Sequence, residues 1–342
     1  MDADVRSPTD LSNPSRGLVQ FASRHNPTGE PMNWYGVMPA LTTPFVATDP
    51  ALPVDHAFLA AHARWMLENG CTGLVMLGSL GEGATLEHAE KVAILNTAVA
   101  VSKPLGTPVV SAISALSTAS AVALAKDAEL AGCDGLMVLP PYVYSSDWAE
   151  MKQHIAAILR ATNLSCMLYN NPVAYKTDFL PEHIAELAGE HPNLHAVKES
   201  SADVRRIAAI RSLIGERLTI FVGVDDVLVE GVAAGATGWV AGLVNAFPAE
   251  SVALFNLARK GETAACFELY RWFLPLLRMD TVPKFVQLIK WVQGETGTGS
   301  ATVRGPRCEI TGSELAEAKA TLATALANLP TVRSTPFPTI EA

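Results

Sequence analysis

Short, continuous apolar runs alternate along this chain with longer segments of helical periodicity. Eight runs read as strands: Tyr35 to Pro39, Gly73 to Leu77, Pro108 to Ile113, Gly135 to Leu139, Ser165 to Tyr169, His195 to Glu199, Thr219 to Gly223 and Gly238 to Gly242. Between them, His56 to Glu68, Leu86 to Ser102, Thr118 to Ala131 and Glu182 to Glu190 carry apolar residues at helical spacing. A short motif recurs at the junctions. Asn69-Gly70-Cys71-Thr72-Gly73, Ala131-Gly132-Cys133-Asp134-Gly135 and Ala234-Gly235-Ala236-Thr237-Gly238 each read as a helix end, a glycine cap and a tight turn into a buried strand. Repeated helix–turn–strand units imply a parallel sheet with helical crossovers. Eight strands, apolar throughout and so buried on both faces, predict an α/β fold of the (β/α)8 TIM barrel type. The rival is an open doubly wound sheet, and no G-x-G-x-x-G follows the first strand to support it.

After Pro248 the pattern turns helical. Ser251 to Arg259, Glu262 to Leu277, Val282 to Gln293 and Gly312 to Ala327 exceed what a last barrel helix needs, and they predict a C-terminal helical extension. The expected organisation is a flexible, polar arm over residues 1–33, a barrel over 34–250, the extension over 251–329 and a flexible tail over 330–342.

Composition narrows the class. The chain has 342 residues, 49% hydrophobic and 17% charged, enough for one large core. The formal net charge of -9, without a basic cluster, argues against nucleic acid and anionic membrane surfaces as partners. Apolar stretches are interrupted, so no transmembrane helix is expected, and the first residues lack the pattern of a signal peptide. Five scattered cysteines suit reduced thiols in a cytoplasmic protein better than a disulfide framework. Neither these nor the eight histidines have metal-ligand spacing, so no metal is expected.

Lys198 is the residue that carries most chemistry. It sits in Leu194-His195-Ala196-Val197-Lys198-Glu199, an apolar strand where an unpaired ammonium is costly. Such a group loses its proton and becomes a nucleophile able to form a Schiff base with a ketone or imine carbon. The plain alternative is a lysine paired with Glu199 or Asp203. Catalytic groups of a barrel lie at the C-terminal ends of its strands. There, Gly78-Ser79-Leu80-Gly81-Glu82 offers N–H groups and a hydroxyl to a carboxylate, though an ordinary turn has the same composition. Tyr169 can move protons or merely close the barrel mouth. Asn170-Asn171-Pro172 is a turn by composition. Ala241, at the end of the eighth strand, joins Gly78, Ser79, Leu80 and Asn171 as a candidate substrate contact. Gly223-Val224-Asp225-Asp226 either lines the pocket or caps a helix. Tyr142 and Tyr144 are interface or lid aromatics.

In this order, these segments resemble the dihydrodipicolinate synthase / N-acetylneuraminate lyase family. The resemblance runs from about Tyr35 to Leu329 and includes Gly36-Val37-Met38-Pro39-Ala40-Leu41-Thr42-Thr43-Pro44-Phe45, Tyr169-Asn170-Asn171-Pro172 and Ala196-Val197-Lys198-Glu199-Ser200-Ser201. It implies a barrel with a C-terminal helical bundle, usually a homotetramer; exposed apolar helices in the extension also make self-association plausible. It implies Lys198 as the Schiff-base lysine, Tyr169 as the proton-transfer tyrosine, and Ser79 and Leu80 beside the substrate carboxylate. Three departures stand out. Leu80 replaces a threonine, Val143 falls where a second relay tyrosine is usual, and Ala174 replaces an arginine that binds a carboxylate. Lysine biosynthesis is thereby disfavoured.

Tyr169-Asn-Asn-Pro-Val-Ala-Tyr175 and Leu277-Arg-Met-Asp-Thr-Val-Pro-Lys284 are similar to the 1-pyrroline-4-hydroxy-2-carboxylate deaminases of hydroxyproline breakdown. The expectation is a lysine-dependent lyase or deaminase of a small 2-oxo acid or cyclic imine, working without a cofactor. Its rivals are a 2-keto-3-deoxy sugar acid dehydratase, a pyruvate-forming aldolase, a dihydrodipicolinate synthase-like condensation and a non-catalytic metabolite sensor.

Overall fold

The computed structural model describes residues 32–141 and 147–340. Its eight strands are β1 (Gly36–Pro39), β2 (Leu74–Met76), β3 (Val109–Ile113), β4 (Gly135–Val138), β5 (Ser165–Asn170), β6 (Leu194–Glu199), β7 (Thr219–Val222) and β8 (Gly238–Ala241). All strand pairs are parallel, in the order β1-β8-β7-β6-β5-β4-β3-β2. The ring closes where Ala40 bridges Val75 and the Leu41 N–H donates to the Val75 carbonyl at 2.9 Å. The (β/α)8 barrel expected from the apolar pattern is therefore the observed fold.

The crossovers are α1 (His56–Glu68), α2 (His88–Ser102), α3 (Thr118–Ala131), α4 (Trp148–Arg160), the single turn α5 (Pro172–Tyr175), α6 (Pro181–Glu190), α7 (Arg205–Ile214) and α8 (Leu228–Ala233). Short polar residues start several of them. Asp55, Ser117 and Asp147 each accept the N–H of the residue three positions on, at 2.9, 3.1 and 2.9 Å. The repeated glycine turns are real: Gly70, Gly132 and Gly235 all have positive φ, which a side chain would strain.

Alternation on the strands sorts side chains between two cores. Met38, Val75, Val110, Ala112, Met137, Met167, Ala196, Phe221 and Val240 fill the barrel interior, while their neighbours along the strands face the helices. Trp34 closes the floor, with its indole N–H donated to Ser165 Oγ at 2.7 Å and its ring edge-on to Phe221. Phe221 is fully buried, and its truncation to alanine costs about 3–5 kcal/mol.

α9 (Pro248–Lys260) packs on α8 and β1 and serves as the eighth barrel helix, so the boundary expected at residue 250 falls inside it. The extension proper is α10 (Thr263–Leu277), a turn at Arg278–Asp280, α11 (Phe285–Glu295) and α12 (Gly312–Ala327). Of the arm expected over residues 1–33, residues 1–31 lie outside the described residues, and Met32 packs against the interior cluster. A flexible tail was expected over residues 330–342; of these, residues 341–342 lie outside the described residues, and residues 330–340 run back over α1. Trp65 Nε1 donates to the Thr335 carbonyl at 2.7 Å, and Phe337 packs on Trp65 and Phe58. Among the described residues, no helix is long and apolar enough to cross a membrane.

Candidate active site

β5 and β6 are in register, with Tyr169 opposite Lys198. Met167 and Ala196 point into the barrel, so two residues further on Tyr169 and Lys198 do so too, at the C-terminal rim. Lys198 Nζ lies 4.1 Å from the centroid of the Tyr169 ring. Both side chains are buried. Burial lowers the Lys198 pKa, and the charges of Asp280, Tyr175 and Asp225 oppose that shift. The pairing that would make Lys198 merely structural is not formed. Glu199 instead accepts from Asn170 Nδ2 at 3.0 Å and from the Ser201 N–H at 2.7 Å, and Asp203 binds Arg205 at 2.7 Å. The Tyr169 hydroxyl accepts from Asn171 Nδ2 at 3.0 Å. Burial raises the Tyr169 pKa, so the phenol keeps its proton at neutral pH.

The loop after β2 has a strained backbone. Leu77 and Glu82 bracket it with φ of 64° and 54°, unusual for residues with side chains. Gly83 is required, because a Cβ there would overlap the Leu77 carbonyl. Between them, the N–H groups of Ser79 and Leu80 donate to no acceptor among the described residues. The loop thus offers two donors to an anion. The Ser79 hydroxyl is hydrogen-bonded to the Tyr175 hydroxyl, and the Tyr175 ring stands edge-on to Tyr169.

The extension holds this loop from behind. Buried Lys290 of α11 donates to Glu82 Oε1 at 2.8 Å and to the Thr43 carbonyl at 2.9 Å. The other Glu82 oxygen accepts the Arg304 N–H at 3.0 Å, and Arg304 itself grips Glu90 with both guanidinium nitrogens at 2.7 and 2.6 Å. Burial pulls the Lys290 pKa down, and Glu82 opposes it.

A cavity of about 600 Å³ opens over these groups. Lys198, Tyr169, Gly78, Ser79, Leu80 and Asn171, all expected at the site, line it. Ala241 does not. On β8 it is Val240 that faces inward, and Ala241 packs in the outer core while its carbonyl accepts the Ala40 N–H at 2.8 Å. The expectation for Ala241 was one residue out of phase, which on a strand reverses the face. Gly223 and Val224 line the cavity, whereas Asp225 is buried and does not. The Asp225 carboxylate accepts from Trp239 Nε1 at 2.9 Å and the Leu243 N–H at 2.9 Å, joining the end of β7 to the end of β8. Tyr142, Val143 and Tyr144 lie outside the described residues.

Among the lining residues not singled out from the sequence are Tyr175, Asp280 and Arg307. Tyr175 is carried by α5 and completes a hydroxyl chain from Ser79. Asp280 comes from the turn after α10, and Arg307 from the segment before α12. The first two fall inside stretches whose similarity to deaminases was noted, but nothing local marks them as facing Lys198.

Comparison with known proteins agrees with this architecture. A profile of the dihydrodipicolinate synthetase family matches residues 33–325. A 4-hydroxy-tetrahydrodipicolinate synthase of Desulforamulus reducens is 28% identical over 83% of this chain and 94% of its own length. One from Rhizobium meliloti is 30% identical over 79% and 91%. The crystal structure of dihydrodipicolinate synthase from Thermotoga maritima superposes with a TM-score of 0.79 at 25% identity, covering 85% of this chain and 98% of that one.

Proposed function

The chain belongs to the dihydrodipicolinate synthetase family of Schiff-base lyases, and we propose that it acts as a deaminase converting 1-pyrroline-4-hydroxy-2-carboxylate to 2,5-dioxopentanoate and ammonia. The observation that carries the chemistry is the Lys198 amine, buried at the base of the cavity and held against the Tyr169 ring. Its depressed pKa leaves a larger fraction of free amine near neutrality.

In this reading Lys198 attacks C2 of the cyclic imine, and exchange at that carbon opens the ring. The substrate then stands as an imine on Lys198 with a free amino group at C5. Tyr169 passes its phenol proton to the imine nitrogen as it takes one from C3, which gives the enamine, and the enamine expels the 4-hydroxyl as water. Shift of the new double bond toward C5 makes a second imine, and hydrolysis at both carbons releases ammonia, 2,5-dioxopentanoate and Lys198. One water leaves and two enter, as the overall hydrolysis requires. The Ser79 and Leu80 N–H groups hold the carboxylate, and the Ser79–Tyr175 pair feeds protons to Tyr169.

Two substitutions favour this over formation of 4-hydroxy-tetrahydrodipicolinate, the product of the relatives. Leu80 has no hydroxyl for the proton chain. Ala174, at the cavity edge, cannot clamp the carboxylate of a second substrate. A 2-keto-3-deoxy sugar acid dehydratase shares the imine and the loss of a hydroxyl, and differs only in what the distal end of the cavity accepts. The discriminating assay offers the purified chain each compound. Release of ammonia with 2,5-dioxopentanoate is expected; faster dehydration of a 2-keto-3-deoxy sugar acid, or faster condensation to 4-hydroxy-tetrahydrodipicolinate, would overturn the assignment. A homotetramer in the cytoplasm is proposed on the family resemblance.

A further inference from the structure

Among the described residues, Asp280 is the one carboxylate that lines the cavity, and it does not come from the barrel. The C-terminal extension carries it over the rim on the short turn after α10. The place is shaped for it. Gly242 follows directly on the end of β8, and a Cβ at that position would overlap Asp280 Oδ1, so the glycine lets the carboxyl group enter. Asp280 acts electrostatically on both Lys198 and Tyr169. Its surroundings contrast with those of Asp225, which is used up by the Trp239, Gly242 and Leu243 N–H groups. Burial and the nearby Asp225 charge raise the Asp280 pKa well above the usual carboxylate range, and the Lys198 charge opposes them, so the group holds a proton more readily than an exposed carboxylate does.

We propose that Asp280 is the acid that protonates the departing hydroxyl of the lysine-bound substrate and the base that later takes a proton from the adjacent carbon; this rests on the deaminase reading above. When the enamine collapses, the C4–O bond breaks with both electrons going to oxygen. The nitrogen lone pair re-forms the iminium at C2, and a double bond forms between C3 and C4. The proton of Asp280 passes to the leaving oxygen, giving water and a carboxylate. That carboxylate removes a proton from C5 as the double bond moves to C4 and C5, while Tyr169 returns to C3 the proton it took and regains its own from the imine nitrogen. Both groups end as they began. The assignment gives the cavity an acid for a substrate bearing a hydroxyl two carbons from the imine carbon, while Tyr169 is engaged with the proton at C3.

The test compares two steps in Asp280→Asn and Asp280→Ser. Borohydride trapping of a pyruvate adduct on Lys198 reports imine formation, which involves no leaving hydroxyl. Release of ammonia from 1-pyrroline-4-hydroxy-2-carboxylate reports the whole reaction. The proposal expects turnover to fall about a hundred-fold or more, the span of a lost general acid, with a much smaller change in adduct formation. Turnover within three-fold of the unaltered protein would overturn it. So would an equal loss of both steps in both variants, each shown folded by thermal melting, because Asp280 would then act on the lysine alone. Failure of the deaminase reading looks different: the unaltered chain itself would release no ammonia.

Discussion

Tyr169 and Lys198 stand opposite one another on adjacent parallel strands, and the register that pairs their backbones brings the amine to 4.1 Å from the phenol ring centre. Neither side chain is positioned by a mobile loop. Two periodicities fix the pair: strand alternation turns both inward, and the parallel register sets them at the same height. This is the relationship from which the chemistry follows.

Replacement of Tyr169 by phenylalanine keeps the ring beside the amine and removes the proton carrier. Turnover should fall about 10²- to 10⁴-fold, while the trapped imine on Lys198 still forms. The check is steady-state ammonia release set beside intact-mass analysis after borohydride. A Tyr169→Phe protein that turns over normally would show that protons reach C3 by another route.

Tyr175 and Ser79 should behave as one unit, since their hydroxyls bond each other. Tyr175→Phe and Ser79→Ala are each expected to slow turnover, and the double variant to be little slower than the worse single one. A double-mutant cycle on kcat/KM measures this coupling. Additive losses would mean that the two hydroxyls serve separate steps.

Lys198 is costly to the fold. A buried lysine with a lowered pKa binds fewer protons than the same residue in the unfolded chain. Over the window between its depressed folded value and the ordinary value of 10.5, stability therefore rises with pH. Below that window the cost is fully present, and above it the cost is gone. Lys198→Met should accordingly melt higher than the unaltered chain at neutral pH, with the gain shrinking as pH climbs toward 10.5. Melting curves across that range decide it. A Lys198→Met protein that is less stable at neutral pH would mean that the amine is held by favourable contacts.

Glu82 and Lys290 should show the opposite effect. Both are buried, and among the described residues Lys290→Met leaves Glu82 with the Arg304 N–H and the more distant Arg307 guanidinium at 3.7 Å. Breaking a buried pair by removing one partner costs about 3–5 kcal/mol, read as a lower midpoint in urea. Because Glu82 closes the loop that carries Ser79 and Leu80, the same variant should bind carboxylate substrates more weakly, with KM raised. A normal KM would separate the ion pair from the loop.

The strands, the closed barrel and the inward lysine were legible because each depends on a local signal: an apolar run, a glycine turn, a lysine inside a hydrophobic strand. What escaped were residues whose importance is set by distant partners. Lys290 reads as one lysine in an amphipathic helix until Glu82 is seen facing it. Asp280 reads as a turn residue until the barrel mouth lies beneath it. Ala241 shows the converse limit, since the strand was found but its phase was misjudged by one position. The tail after Pro330 is polar and rich in proline, and its contacts with α1 through Thr335 and Phe337 show that it is tied down.

The central claim is that Lys198 forms the covalent bond to substrate. The most direct measurement is reduction with borohydride in the presence of pyruvate or 1-pyrroline-4-hydroxy-2-carboxylate, followed by peptide mapping. The account predicts a stable adduct on the peptide containing Lys198, absent from Lys198→Met. An adduct on another lysine, or none on folded protein that still turns substrate over, would contradict it.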